Sequence, residues 1–206
     1  MKTGLTQKQR SAATRRKLLD AAALVLIEQG YANLTTTKVC KAAGVSQGAL
    51  FKHYESKMAL LAALAEDLYA GLAHEFESLF SAILPNQDVI RESIRILWAV
   101  FSSQKQLATY DLTVASRTDQ VLKEILDKIV VGHRERIWVI ADKVFESVNA
   151  GRTQFDMLAD LVLISVQGMV INGLAYPEPD SIEQRLSYLE TIVKSHLAST
   201  VGEVTC

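Results

Sequence analysis

Thr35-Thr36-Thr37-Lys38-Val39-Cys40-Lys41-Ala42-Ala43-Gly44-Val45-Ser46-Gln47-Gly48-Ala49-Leu50-Phe51-Lys52-His53-Tyr54-Glu55-Ser56-Lys57 is the stretch that decides the fold. Thr35 is placed to cap a short helix over Thr36 to Ala43, because its hydroxyl can accept a backbone N–H that the first turn leaves unpaired. Gly44 is expected to end that helix in a conformation that residues with a Cβ resist. Ser46 is placed to cap a second helix, from Gln47 to about His53. Two short helices meeting at Gly44-Val45 make a helix-turn-helix, with Val45 plugging the angle. Leu50 and Tyr54, four residues apart, are expected to face the core with Val39 and Ala42. Gln47, Gly48, Phe51 and Lys52 then point outward. Such a helix fits the major groove of DNA, its N-terminal residues at the base edges. The small residues Gly48 and Ala49 permit close approach. Gln47 can make a bidentate pair with adenine or a single bond to guanine. Threonine hydroxyls and lysine ammoniums around it suit phosphates, which position a protein on DNA without specifying sequence.

Helical signals continue on both sides of this stretch. Leu18, Ala22, Val25 and Leu26 recur at helical spacing and predict a helix over 12–29, stopped at Gly30. Ser56 is placed to cap a long helix from Lys57 toward Ile83, with the stripe Leu61, Leu64, Leu68, Leu72, Phe76, Leu79, Ile83. Pro85 breaks it. Asn86 is placed to cap a helix over 87–103, and a shorter one covers 105–115. Thr118 is placed to cap a long helix reaching Ser147, with the stripe Leu122, Leu126, Ile129, His133, Ile137, Ile140, Val144. Another helix is predicted over 155–175. Asp180 with Glu183 reads as a capping box for the last one, whose stripe is Ile182, Leu186, Leu189, Val193, Leu197. The chain of 206 residues has only three prolines and ten glycines. Few breakers and long periodic segments predict an all-α protein.

Composition excludes several classes. With 49% hydrophobic residues the chain is no disordered polyelectrolyte. Residues 1–16 lack the apolar segment of a signal peptide. The apolar stretch 157–175 is interrupted by Asp160, Ser165, Gln167 and Asn172, so no membrane partner is expected. Two cysteines, Cys40 and Cys206, imply no disulfide framework. Cys40 reads as a small buried residue and Cys206 as a free thiol on the tail. A reducing cytoplasm is the expected location. The net charge of −1 conceals a polarity. Residues 1–57 hold ten basic and three acidic side chains, a net +7, so the rest carries −8. A basic head on an acidic body is the pattern of a polyanion-binding module joined to something else.

Residues 15–68 resemble the DNA-binding domain of the tetracycline-repressor-like (TetR) regulators. The resemblance is carried by Leu18-Leu19-Asp20-Ala21-Ala22, Gly30-Tyr31, Leu34-Thr35-Thr36, Ala43-Gly44-Val45-Ser46, Gly48 through Tyr54, and Ser56-Lys57. It implies phosphate contacts at Thr36 and Lys57 and base contacts at Thr37 and Gln47. The candidate DNA-contacting set is Thr36, Thr37, Ser46, Gln47, Gly48, Ala49, Phe51, Lys52, His53 and Lys57. There are departures. Phe51 stands where the family often has Tyr, removing a phenolic bond to phosphate. Tyr54 stands for a frequent Phe, Leu26 for a usual Phe, and Cys40 for a typical Ala.

The resulting expectation is a DNA-binding domain over 1–56 and a helical effector-binding and dimerisation domain over 57–206. A single helix-turn-helix reads few base pairs, so such readers are usually twofold. The predicted helix 155–175 has more apolar surface than one core requires. One face carries Leu158, Leu161, Val162, Ser165, Met169 and Asn172; another carries Met157, Ile164, Gly168, Ile171 and Ala175. Gly168 and Gly173 lower its helix propensity, for which close helix–helix contact is the usual compensation. The dimer candidates are Leu161, Ile164, Gly168, Ile171, Leu186, Leu189 and Val193, half of an intermolecular four-helix bundle. The effector-binding candidates are Trp98, Phe101, Tyr110, His133, Trp138, Met169 and Asn172, with Arg117 as a further polar partner. The expected function is a ligand-responsive, homodimeric repressor that binds double-stranded operator DNA and is released by a small-molecule inducer.

Two other readings compete. Gly44-Val45-Ser46-Gln47-Gly48 satisfies G-x-S-x-G, the nucleophile elbow of hydrolases, which needs a strand before the serine. A helix is predicted there, so an enzyme is not expected. The other competitor is a helical scaffold or interaction protein with a non-specific basic patch. His53, His74, His133, His196 and the two cysteines show no metal-ligand spacing, so no metal or cofactor is expected.

Overall fold

A computed structural model describes residues 6–147, 152–177 and 179–203. Among these residues there are nine α-helices, a 3-10 turn at Tyr31–Asn33, and no strand. The helices are α1 (Gln7–Gln29), α2 (Thr36–Ala43), α3 (Gln47–Phe51), α4 (Lys57–Ser81), α5 (Val89–Phe101), α6 (Gln104–Ala115), α7 (Gln120–Ser147), α8 (Arg152–Ala175) and α9 (Pro179–Glu203). Gly151, Cys206 and the side chain of Val144 lie outside the described residues.

The chain divides into two compact units. The first comprises residues up to Leu72 together with Gln104–His133. It therefore takes in more than the segment 1–56: the first part of α4, all of α6 and the start of α7 pack with the head. Its core is closed. Leu18, Ala22, Val39, Leu50, Leu64, Leu112 and Leu122 are fully buried. α1 starts earlier than its apolar stripe suggests, because the first turn is polar. There Thr6 Oγ1 accepts from the Gln9 N–H while Gln9 Oε1 accepts from the Thr6 N–H, a reciprocal capping box. On α2 it is Ala43, with Cys40 and Val39, that is buried; Ala42 is exposed, contrary to expectation. In a helix of two turns the apolar stripe has too few members to fix which alanine faces inward.

Two carboxylates hold the turn that follows α1. Asp111 accepts from the Tyr31 N–H, and Asp119 Oδ2 accepts from the Tyr31 phenol at 2.6 Å. Burial first, then this bond, pushes the Tyr31 phenol up to about 12. Asp119 Oδ1 also accepts from the Leu122 N–H at 3.0 Å, so Asp119 and not Thr118 caps α7. The same phenol holds the Asp119 carboxyl below its ordinary value.

The second unit comprises Ala73–Ser103 and the chain from Arg134 on. α5 packs against α8 and α9. Phe76, Ile94, Leu97, Val100, Ile140, Phe155, Val162, Val166, Val170, Leu186 and Val193 are buried in it. On α4 the stripe stays buried through Phe76, but Leu79 is exposed and Ile83 lies past the helix end. Asp88, not Asn86, caps α5, its Oδ1 accepting from the Arg91 N–H at 3.2 Å. Its other oxygen accepts from Lys194 on α9, which also reaches Glu190 Oε1 at 2.6 Å. Arg91 completes this clasp with a forked contact to Glu190 at 3.1 to 3.2 Å. Asp180 lies inside the first turn of α9, after Pro179, instead of capping it. Phe155–Ala175 is long and apolar enough to cross a membrane, with mean hydropathy 1.7. Its outer side nevertheless carries Asp160, paired with Arg134 at 3.0 Å, and exposed Ser165, Gln167 and Asn172.

Candidate functional site

The reading surface is built by caps. Thr35 Oγ1 accepts from the Lys38 N–H at 3.3 Å and starts α2. Gly44 ends it at φ 61°, ψ 41°, the left-handed region that glycine enters at no steric cost. The Val45 N–H returns to the Cys40 carbonyl at 3.0 Å, closing the turn. Ser46 then starts α3, its Oγ accepting from the Ala49 N–H at 3.1 Å. A helix, not a strand, precedes this serine, and its hydroxyl is engaged as a cap. The G-x-S-x-G match at 44–48 is therefore capping chemistry.

With Leu50 and Tyr54 buried, the opposite side of α3 is exposed: Gln47, Gly48, Phe51 and Lys52. Ala49 and His53 are half-buried at its edges, and Thr37 is exposed beside it on α2. Gln47 Nε2 donates to Thr37 Oγ1 at 2.8 Å, so two of the candidate contact residues are already joined. A Cβ on Gly48 would meet nothing nearer than Ser46 Oγ at 3.9 Å. Internal packing therefore does not require glycine there, and the smooth patch faces outward. Thr36 is half-buried in the first turn of α2. Lys57, in the first turn of α4 after the Ser56 cap, holds its ammonium over the Tyr31 ring at 5.1 Å. The Arg15 guanidinium lies over the Tyr54 ring at 5.2 Å, and the Tyr54 phenol reaches the Arg15 carbonyl at 3.5 Å.

This geometry agrees with known proteins. Residues 18–64 match the profile of bacterial regulatory proteins of the tetR family. The HTH-type transcriptional regulator CymR of Pseudomonas putida is 31% identical over 189 residues, 90% of this chain and 92% of that one. The chain belongs to the TetR family. An uncharacterised HTH-type transcriptional regulator of Mycobacterium tuberculosis is 29% identical over 93% of this chain and 98% of its own. Among solved structures, a TetR-family regulator from Mesorhizobium loti superposes with a TM-score of 0.68 at 16% identity, over 94% of this chain and 97% of that one. The multidrug-binding protein EbrR, solved with imidazole, gives 0.61 at 18% identity over 89% and 93%. These two likenesses show the fold. This TetR-family chain is a transcriptional regulator with a DNA-binding helix-turn-helix.

The second unit of this TetR-family regulator contains an apolar cleft, about 660 Å³ with its open mouth included. Phe76, Phe80, Ile94, Ile140, Phe155, Leu158 and Val193 are among its walls, and Ser93 is there too. None of Trp98, Phe101, Tyr110, His133, Trp138, Met169 or Asn172 lines it. Tyr110 and His133 belong to the first unit, where the His133 ring meets Tyr69 edge-on at 5.0 Å. Burial pushes the Tyr110 phenol up to about 12. Phe101 stands one layer behind the cleft, its ring 5.8 Å from that of Phe76. Trp98 and Trp138 are half-buried neighbours in sequence of the lining residues Leu97 and Ile137. Met169 is half-buried, and Asn172 and Arg117 are exposed. The cleft is walled mostly by aliphatic residues that look like ordinary core in sequence.

α8 presents a second apolar side. Met157, Leu161, Ile164, Ile171 and Leu174 are exposed on it, and Tyr188 and Ile192 are exposed on α9. Leu158 and Val162, expected to share a face with Leu161, instead line the cleft. Leu186 and Val193, expected at the dimer contact, are buried within the unit at 4% exposure, and Leu189 is half-buried. The α9 stripe is thus spent on the unit's own core.

Proposed function

We propose that this regulator is a homodimeric repressor of a two-fold operator, released when a small molecule enters the cleft of the second unit. The observation that carries the proposal is the two-sidedness of α8. One side walls an apolar cleft, the usual form of a small-molecule site. The other is a row of exposed apolar side chains, larger than scattered surface residues require. A Cβ on Gly168 or Gly173 would meet nothing within 4 Å in the chain itself, which leaves room for a second copy. In functional terms residues 1–56 read DNA, and 57–206 bind the effector and the partner chain.

Gln47, with Thr37 beside it, contacts bases; Gly48 and Ala49 let the helix approach. Thr36, Ser46, Phe51, Lys52, His53 and Lys57 complete the contact surface, with Thr36 and Lys57 on phosphates. α4 runs from the DNA-reading head into the second unit and acts as the lever. An effector that prefers the state with the two heads wrongly spaced weakens operator binding by its differential affinity for that state. EbrR's description as multidrug-binding supports a small-molecule partner for this fold. The protein works in the cytoplasm without a membrane partner.

The test is fluorescence anisotropy with DNA from upstream of its own gene against a scrambled duplex, across a salt series. Binding tighter by about 10³ or more to the first is expected. Equal, steeply salt-dependent binding to both would favour the scaffold with a non-specific basic patch. Sedimentation at micromolar concentration tests the dimer, and a clean monomer would overturn it.

A further inference from the structure

The cleft has walls of one chemical kind. Among the described residues, no lining side chain is ionisable. Four cations near the walls in sequence are already paired. Lys194 and Arg91 are held by Asp88 and Glu190, Arg134 by Asp160 at 3.0 Å, and Lys143 by Glu77 at 3.8 Å. An ionised ligand entering here would lose its hydration and meet no counter-charge on the described lining residues, which strongly disfavours it.

One polar atom breaks the pattern. The Ser93 hydroxyl, on α5, lines the cleft, is buried, and has no hydrogen-bond partner among the described residues. A helical serine or threonine ordinarily bonds back to a carbonyl three or four residues earlier. Other residues of this chain do so: Ser102 to the Trp98 carbonyl at 2.7 Å, Thr113 to Thr109 at 2.8 Å, and Thr191 to Ser187 at 2.9 Å. Ser93 does not. A buried hydroxyl left unpaired is unfavourable, and a ligand group that reaches it removes the deficit.

We propose that the cleft takes an uncharged, largely hydrophobic small molecule bearing one hydrogen-bonding group, and that Ser93 is the residue that meets that group. This rests on the cleft being the effector site, and the experiment separates the two ideas. N-phenyl-1-naphthylamine is neutral with a single N–H. 1-Anilinonaphthalene-8-sulfonate is the same skeleton with an anionic group, and 1-benzylnaphthalene lacks the N–H.

Each is titrated into the full-length protein labelled at Ile, Leu and Val methyls and followed by NMR. The neutral amine is expected to saturate at one molecule per chain and to shift the methyls of Ile94, Ile140 and Val162. The sulfonate is expected to bind at those methyls on the order of 100-fold more weakly. Ser93→Ala is expected to weaken the amine roughly fivefold and leave the hydrocarbon unchanged. Equal binding of the sulfonate at the same methyls, equal loss for amine and hydrocarbon, or no shift by the amine overturns the proposal.

Operator anisotropy in the same samples decides the rest. A neutral probe that fills the cleft without weakening DNA binding removes the coupling of cleft to head while the chemical class stands. Release of DNA only by charged compounds removes the chemical class while the ligand response stands.

Discussion

The two units are made of the same element and are held in different ways. In the first, local polar devices fix the corners: Thr6, Thr35, Ser46 and Ser56 each cap a helix, and Gly44 turns the chain. Asp111 and Asp119 grip Tyr31, just past α1, and the core beneath is buried. In the second, α5 and α9 are joined at the surface by an ion-pair clasp, a cleft stays open, and α8 is apolar on both sides. A reading head must hold one geometry, since bases are recognised by side chains placed within hydrogen-bond reach. Under the proposed function, a unit that takes small molecules and a second chain must keep apolar surface unsatisfied until they arrive. The units therefore differ in how their helices are secured, by caps and short-range bonds in the first and by an ion-pair clasp beside a cleft in the second.

The largest effect that would break this comparison comes from cutting into each core. Leu50→Ala, at a fully buried position, is expected to destabilise the first unit by about 2–5 kcal/mol. Leu163→Ala, on the half-buried cleft wall, should cost only about 1 kcal/mol, because the space beside it is already empty. Denaturant unfolding of both variants checks this; equal losses would mean that the cleft is not an open site.

Next come the contacts themselves. Gln47→Ala is expected to weaken operator binding by about 1–3 kcal/mol and to relax base preference. Lys57→Ala should weaken operator and random DNA alike and lower the salt slope by about 1. Identical behaviour of the two variants on both DNAs would show that α3 does not read bases.

Ser46→Ala sharpens the capping argument. Loss of the cap should cost about 1 kcal/mol of stability in thermal or chemical unfolding. A stability equal to the parent would show that the head does not depend on its caps.

The smallest effect is the acid response of the second unit. Lys194 holds the Asp88 carboxyl below its ordinary range, and Arg91, then Lys194, does the same for Glu190. A depressed carboxylate stabilises the fold above its unfolded value, and the contribution disappears as pH falls through the folded value. Stability should therefore decline as pH drops below about 4, and Lys194→Met should flatten that decline. Screening of the exposed clasp keeps the effect modest. An unchanged acid profile in the variant would remove the clasp from the account.

Legibility follows the range of the interactions. α2, its turn and α3 could be read to within a residue or two because Thr35, Gly44 and Ser46 act on neighbours three or four positions away. The caps of α5 and α7 lie a residue or two beyond the expected ones, for the opposite reason. Thr118 and Asp119 are both competent caps, and so are Asn86 and Asp88. The choice fell to the aspartates, which also bind Tyr31 and Lys194, residues far away in sequence. The cleft of the second unit was the least legible part. Size and aromaticity single out Trp98, His133 and Trp138 in the sequence, whereas the cleft lies where Phe76, Ile94, Ile140, Phe155 and Val193 leave space among their helices.

By itself, the sequence determined that the chain is helical, that residues 35–57 form a helix-turn-helix of the TetR kind, and that its basic charge lies at the head. Those properties come from local backbone preferences, caps and spacing, which need no distant partner. Only the tertiary structure decided which side of α8 faces inward, that Leu186 and Val193 are buried in their own unit, and that the Ser93 hydroxyl has no partner among the described residues. Each of these depends on how helices far apart in the chain divide a shared space, and periodicity along one helix carries no information about the shape of the gap left between several.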